Sequence, residues 1–273
     1  MEKGVPIRAI SRSINVLQAI NHHGSLSLME IAREAGVPYP TACRIVQTFA
    51  YEGLIEREPA RKRYRVTELA LTLSLGYRDH GDLVSRARPH ITALTKKIVW
   101  PVSLTTRVGS KMMVRDSTHA ETSLTFSNYY PGYTLPILEC ASGIAYLAFL
   151  SEDERQGVIR GLNLGAQKSF TLSLVEHGKL LNDVRKCGYA TRGRNPFTAN
   201  PGMTSSIAVP VFQNEKVVGS VAIIFFSTAI TMDEALSRYL NDLKDTAQNI
   251  SHDLSQRASR RRETARMKKS AAA

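Results

Sequence analysis

The chain has 273 residues, a formal net charge of +12 and 43% hydrophobic residues. That length fits two domains, and the apolar fraction is enough for ordinary cores. No run of about 18 uncharged apolar residues and no signal peptide is present, which excludes a helical membrane span and makes a cytoplasmic location the expectation.

The charge is unevenly spread. Residues 1–66 carry ten Lys/Arg against six Asp/Glu, residues 257–273 carry seven against one, and the stretch between them is almost neutral. Positive charge gathered at the two ends points to a polyanion partner there and a different task in the middle. For the last segment, 258–273, a solvated, disordered basic tail is the expectation. Cys43, Cys140 and Cys187 are far apart and odd in number, so neither a disulfide framework nor a CxxC metal site is available. Reduced, mostly buried thiols are expected, and no metal and no cofactor.

A first helix runs around Ile10, Ile14 and Leu17. Ser27 followed by Glu30 forms a capping box that opens a second helix, whose apolar face is Leu28, Ile31, Ala32 and Ala35. Gly36 ends it, since glycine takes a left-handed conformation without a Cβ penalty. Pro40 fits the first turn of a third helix, where its missing N–H is not needed. Ala42, Ile45, Val46 and Phe49 share one face of that helix, while Arg44, Gln47 and Tyr51 point the other way. Two helices joined by a three- to four-residue turn containing Gly are a helix-turn-helix, and the polar face of its second helix reads a major groove. Leu54 to Glu58, a turn at Pro59 and Ala60, and Arg61 to Val66 then predict a β-hairpin. Four of the six residues from Arg61 to Val66 are cationic, which suits phosphate contacts by a wing. A winged helix-turn-helix over 1–66 is therefore expected. Its DNA-contacting set is Ser27, Tyr39, Pro40, Thr41, Cys43, Arg44 and Gln47, with Arg61, Lys62 and Arg63 on the wing.

Residues 67–81 read as a linker helix bearing an apolar stripe of Leu69, Leu73 and Gly76. From about 82 to 257 the pattern changes to an α+β domain: a helix from Leu83 to about Ile98 and a hairpin over 102–107 and 112–115. Capping boxes at Ser151/Glu154 and Thr231/Glu234 open two more helices, and Ser205–Phe212 and Val217–Phe226 make two central strands.

Taken together these residues resemble the IclR-type bacterial transcriptional regulators. The N-terminal likeness rests on Ile7 to Leu17, Glu30 to Ala32, Thr41, Arg44, Thr48, Glu52, Gly53 and Tyr64 to Val66. It continues through Ala141 to Ala148, Gly188, Tyr189, Ile207 to Val211, Val218 and Gly219. One departure is Pro40, where the family usually has Ser or Thr. The resemblance implies a mixed α/β architecture: winged helix-turn-helix, linker helix and a GAF-like antiparallel-sheet domain that binds a small acid. Val99 to Pro101, Val114 to His119 and Leu135 to Leu138 look most like regulators of aromatic-acid catabolism, in particular that of 3-(3-hydroxyphenyl)propionate. Carried over position by position, the implied effector contacts are Leu135, Ala141, Ser142, Asn195, Met203, Ser205, Ala222 and Ile224. Members that bind very small keto acids have serines in the last strand and an acidic loop residue where this chain has Ala222, Ile224 and Asn195; the less polar floor suits an aromatic ring. Free N–H groups at the start of the helix near Ala141 suit a carboxylate.

The implied partners are double-stranded operator DNA, a small aromatic carboxylate and a second copy of the chain, in a dimer or a tetramer. RNA polymerase joins them if the protein is an activator, the mode most such members use; a repressor sensing a small non-aromatic acid is the alternative. An enzyme is not expected. Cys140 to Ile144 lacks the G-x-S-x-G of a nucleophile elbow, no HExxH or phosphate-cradling loop occurs, and His119 has no recognisable orienting carboxylate and reads as a core or surface histidine.

Overall fold

The computed structural model describes residues 7–73, 81–125, 129–163, 170–198 and 200–270. The chain divides into two compact units, Met1–Asp79 and His80–Ala273.

In the first unit α1 (Arg8–His23), α2 (Leu28–Glu34) and α3 (Tyr39–Tyr51) surround a core of Val16, Ile20, Ile31, Ala42, Val46 and Ile55. Ser27 caps α2: its backbone N–H donates to Glu30 Oε2 at 2.8 Å, and the Glu30 N–H donates back to the serine hydroxyl at 3.4 Å. Gly36 then turns the chain at φ +63°, a conformation that favours glycine, and Pro40 sits in the first turn of α3. β1 (Leu26–Ser27), β2 (Ile55–Arg57) and β3 (Arg63–Val66) form a small antiparallel sheet in the order β1-β3-β2. Tyr64 pairs with Leu26 and Val66 with Ile55, so the wing is anchored to the strand that leads into α2. A short α4 (Leu69–Thr72) follows. The linker helix expected over 67–81 is seen only in this part; residues 74–80, including Gly76, lie outside the described residues.

The second unit is built on a six-stranded antiparallel sheet of β4 (Val102–Val108), β5 (Lys111–Ser117), β6 (Thr134–Pro136), β7 (Ala190–Arg192), β8 (Thr204–Gln213) and β9 (Lys216–Phe226). The order is β6-β5-β4-β9-β8-β7. β8 and β9 meet in a two-residue turn whose central residues, Asn214 and Glu215, both have positive φ, the geometry whose twist matches flanking strands. Because side chains alternate across a strand, each long strand feeds two cores. Leu104, Ile207, Val221 and Ile223 face α5 (Gly81–Ile98) and α10 (Met232–Ser270) and pack with Leu94, Ile98, Leu243 and Ile250. Met112, Ala208 and Ala222 face the other way, against α6 (Ala141–Ala148), α7 (Glu152–Asn163), α8 (Phe170–Glu176) and α9 (Lys179–Cys187). Burying an Ile or Leu in either layer stabilises the fold by about 1.5–3 kcal/mol.

Two expectations need correction. α10 stays helical through the basic segment up to Ser270, where a disordered tail was expected; its Ala, Arg, Glu, Met and Lys are strong helix formers and no Gly or Pro interrupts them. The three cysteines are free, but they are not mostly buried: Cys140 is buried, Cys43 half-buried and Cys187 exposed. Among the described residues no helix is long and apolar enough to cross a membrane.

Candidate DNA interface and effector pocket

The exposed side of α3 presents Pro40, Arg44, Gln47 and Tyr39, with Thr41 and Cys43 half-buried beside them. Tyr39 and Cys43 stand one turn apart and hydrogen-bond each other, which pushes the phenol's pKa upward. Arg44 also lines a groove between α1 and α3 together with Arg12, Ser13, Thr41 and Thr48. Arg12 was missed on sequence grounds because a lone arginine on an amphipathic helix reads as ordinary solvent-facing charge.

On the wing, Arg61 and Lys62 are exposed, and neither has an ion-pair partner among the described residues. Arg63 is different. Its guanidinium donates to the Ser25 carbonyl at 2.9 Å and pairs with Glu30 at 2.8 Å, so it ties the wing to the capping box of α2. Glu30 accepts from the Ser27 backbone and hydroxyl as well as from Arg63, and these contacts hold its carboxyl below the usual range. Ser27 is likewise committed to the cap. The expected contact set therefore separates: Tyr39, Pro40, Arg44, Gln47, Arg61 and Lys62 face outward, Thr41 and Cys43 are half-buried beside them, and Ser27 and Arg63 are engaged within the fold.

In the second unit a cavity opens between β4, β5, β8, β9 and the start of α6. Leu135, Ser142, Asn195, Ala222 and Ile224, all expected contacts, line it. The other three do not. Ala141 is buried in the helix packing, and Met203 is half exposed. Ser205 lies on the opposite face of β8, where its hydroxyl accepts from the Arg194 N–H at 3.1 Å and hydrogen-bonds Ser227 at 2.9 Å. Thr204 and Ser206 take its place in the wall, with Ser103, Thr105, Val114, Tyr129, Cys140 and Thr198. The pairing register contained the signal. Ser206 lies opposite Ile224 and Ala208 opposite Ala222, and directly paired residues share a face. Placing Ile224 in the pocket thus places Ser206 and Thr204 there and turns Ser205 away.

Asn195 is buried and shapes the loop that covers the cavity: its side-chain oxygen accepts from the Phe197 N–H at 2.9 Å, and its carbonyl accepts from the Gly202 N–H. Tyr129 reaches Thr204 with its hydroxyl at 3.3 Å. The Cys140 thiol is pushed up to about 12 by burial and stays neutral. At the start of α6 the Gly143 and Ile144 N–H groups donate to the Cys140 carbonyl, so they are engaged within the helix. Among the described residues no Lys, Arg, Asp or Glu lines the cavity. The free volume is about 30 Å³, room for about one water molecule.

The family model described as IclR helix-turn-helix domain matches residues 9–59, and that described as bacterial transcriptional regulator IclR C-terminal matches residues 75–252. The chain belongs to the IclR family. It is a DNA-binding transcriptional regulator with an effector-binding domain, and its fold is the IclR architecture of helix-turn-helix and curled antiparallel sheet. Among IclR-type relatives, the regulator TtgV of Pseudomonas putida is 28% identical over 68% of this chain and 70% of its own length. The regulator BhcR of Paracoccus denitrificans is 28% identical over 76% and 72%. The IclR of Thermotoga maritima superposes with a TM-score of 0.63 at 22% identity, over 90% of this chain and 98% of that one. An IclR homologue from Microbacterium hydrocarbonoxydans, solved with 4-hydroxybenzoate, superposes with a TM-score of 0.61 at 19% identity and the same coverage.

Proposed function

We propose that this regulator senses a small aromatic carboxylic acid in the sheet cavity and, as a homo-oligomer, activates a catabolic operon. The carrying observation is the apolar strip of Val114, Leu135, Ala222 and Ile224 across the cavity wall, a surface for one face of a ring. Cavity-lining Asn195 and Thr198 belong to a loop that moves aside to admit the ligand, since about 30 Å³ holds no ring. A ligand shifts such an equilibrium only through its different affinities for the two states. Activation, with RNA polymerase as the further partner, follows from the resemblance to aromatic-acid regulators. No catalytic role is part of this reading.

The second reading, a repressor sensing a small non-aromatic acid, is favoured by one feature: the hydroxyls of Ser103, Thr105, Thr204 and Ser206 crowd a small space. Titration calorimetry and operator binding separate the two. Hydroxylated aromatic acids such as 4-hydroxybenzoate and 3-(3-hydroxyphenyl)propionate are expected to bind and to alter operator affinity, whereas glyoxylate and pyruvate do neither. Ile224→Ser should weaken the aromatic ligand by roughly 1–3 kcal/mol, the range for lost apolar packing in a pocket. A preference for glyoxylate would replace the aromatic reading with the second one.

A further inference from the structure

A second concavity in the same unit shares no lining residue with the sheet cavity. It is a groove between α9, α10, β8 and the end of α6, with a free volume of about 420 Å³, in the range of small-molecule sites. Val209 and Pro210 are buried in its floor. The half-buried rings of Phe149 and Phe212 also line it and meet edge to face, with centroids 5.4 Å apart.

Two cations line the same groove, Arg185 from α9 and Lys244 from α10, and neutral groups hold both in place. Arg185 donates from Nε to the Ala148 carbonyl at the end of α6, and from Nη1 to Asn182 Oδ1 at 3.2 Å. Lys244 donates from Nζ to the Cys187 carbonyl at 2.8 Å and lies 5.6 Å from the centre of the Tyr189 ring. An ammonium has three N–H donors and a guanidinium five, so each keeps donors for a further acceptor. Among the described residues neither pairs with a carboxylate, whereas Arg238 on α10 pairs with Glu234, and Asp242 takes Lys97. The sheet cavity, with about 30 Å³ and an uncharged described lining, offers nothing comparable to an anion.

The edge of β8 narrows the choice of occupant. β7 pairs with β8 only from Ser206 to Ala208, so beyond Ala208 this edge has no strand beside it among the described residues. A peptide or a second copy adding a strand there would find few donors. Pro210 has no N–H, and the Phe212 N–H already donates to Ser251 Oγ at 2.9 Å. The fitting occupant is a flat apolar body with a negative charge at one end.

We propose that this groove is a second small-molecule site, for an aromatic carboxylate, with the ring against Phe149 and Phe212 and the carboxylate on Arg185 and Lys244. The proposal does not depend on the sheet cavity being the effector site; an acid bound here is additional to the one placed there.

The test uses the full chain with methyl-labelled Ile, Leu and Val, and benzoate, acetate and benzyl alcohol as millimolar probes. Val209 reports the groove and Ile224 the sheet cavity, each assigned by the signal that Val209→Ile or Ile224→Val removes. Benzoate should shift the Val209 methyls. Acetate, which lacks the ring, and benzyl alcohol, which lacks the charge, should not. Lys244→Gln and Arg185→Gln should each raise the benzoate concentration for half the Val209 shift by about tenfold, the scale of a hydrogen bond to a charged group. Neither should change the Ile224 titration. Arg185 also braces α6, so Lys244→Gln decides the matter if Arg185→Gln melts early. The site is refuted if no probe moves Val209, if benzyl alcohol reproduces the shift, or if the shift survives Lys244→Gln at native affinity. A smaller assembly by light scattering in Lys244→Gln would make the groove a face between copies and overturn the proposal as well. Shifts at Val209 alone leave the groove standing and count against the sheet cavity, and shifts at Ile224 alone do the reverse.

Discussion

Lys62 and Arg63 stand side by side on the wing, and only Arg63 is tied down within the domain. Arg63→Ala should therefore lower stability by about 1 kcal/mol through the lost bonds to Ser25 and Glu30. Lys62→Ala should leave the melting temperature alone, weaken all DNA alike and reduce the salt slope by about one. Arg44→Ala should cost roughly 1–3 kcal/mol on the operator alone, because a guanidinium on the recognition helix reads a base edge. Melting curves with salt-dependent binding to operator and random DNA check all three; equal losses on both DNAs for Arg44→Ala would remove it from base readout. His119 supports a separate test. Burial lowers its pKa from 6.5 to about 3. Above pH 6.5 both folded and unfolded chains hold it neutral and it contributes nothing. Below that, the unfolded chain takes up a proton the folded chain refuses, so stability falls until about pH 3. At pH 5 the loss from this residue is about 2 kcal/mol. Urea midpoints at pH 7 and pH 5 should converge more closely in His119→Gln than in the native chain, and parallel losses would show that His119 protonates within the fold.

At the scale of elements, α6 is fixed by one glycine. A Cβ on Gly143 would lie 1.9 Å from the Ile137 carbonyl oxygen, a backbone atom that cannot swing aside. Gly143→Ala should cost about 3 kcal/mol and displace Ser142 from the cavity wall. Gly157, inside α7, meets nothing within 4 Å, so Gly157→Ala is expected to stabilise by up to about 1 kcal/mol. Denaturant unfolding of both variants would show the opposite signs, and a neutral Gly143→Ala would mean that α6 does not need its close seat. Features with strong local chemistry were legible in advance: the Ser27/Glu30 cap, the left-handed Gly36, and the long alternating β8 and β9. β6 and β7 were not, because three residues are too few to show an alternation, and their pairing is decided by partners distant in sequence. α9 carries no capping hydroxyl; it starts after Gly178 at φ +75°. The wall of the proposed effector cavity was half legible. Ala222 and Ile224 came from the family resemblance, whereas Thr204 and Ser206 require the register between two strands, and Tyr129 reaches the cavity from a loop.

At the scale of the whole molecule, the question is how one small DNA-reading unit binds an operator tightly. A single such module buries only about 600–1,000 Å² on DNA. Two copies related by a two-fold axis would present two recognition helices to half-sites about one helical turn apart, so a pseudo-palindromic operator is expected. The first unit carries surface suited to pairing. Ile7, Ile10 and Ile14 are 65%, 55% and 51% exposed at helical spacing around the start of α1, and Leu69, Leu71 and Leu73 are exposed in and beside α4. Apolar residues clustered in this way mark an association surface more often than chance exposure. Light scattering of the native chain at micromolar concentration should give a dimer or a tetramer. The double substitution Ile10→Glu, Ile14→Glu should lower the mass if α1 is the seam, and should weaken operator binding far more than binding to a single half-site. A monomer with and without DNA would refute self-association. An unchanged assembly in the double variant would move the seam away from α1.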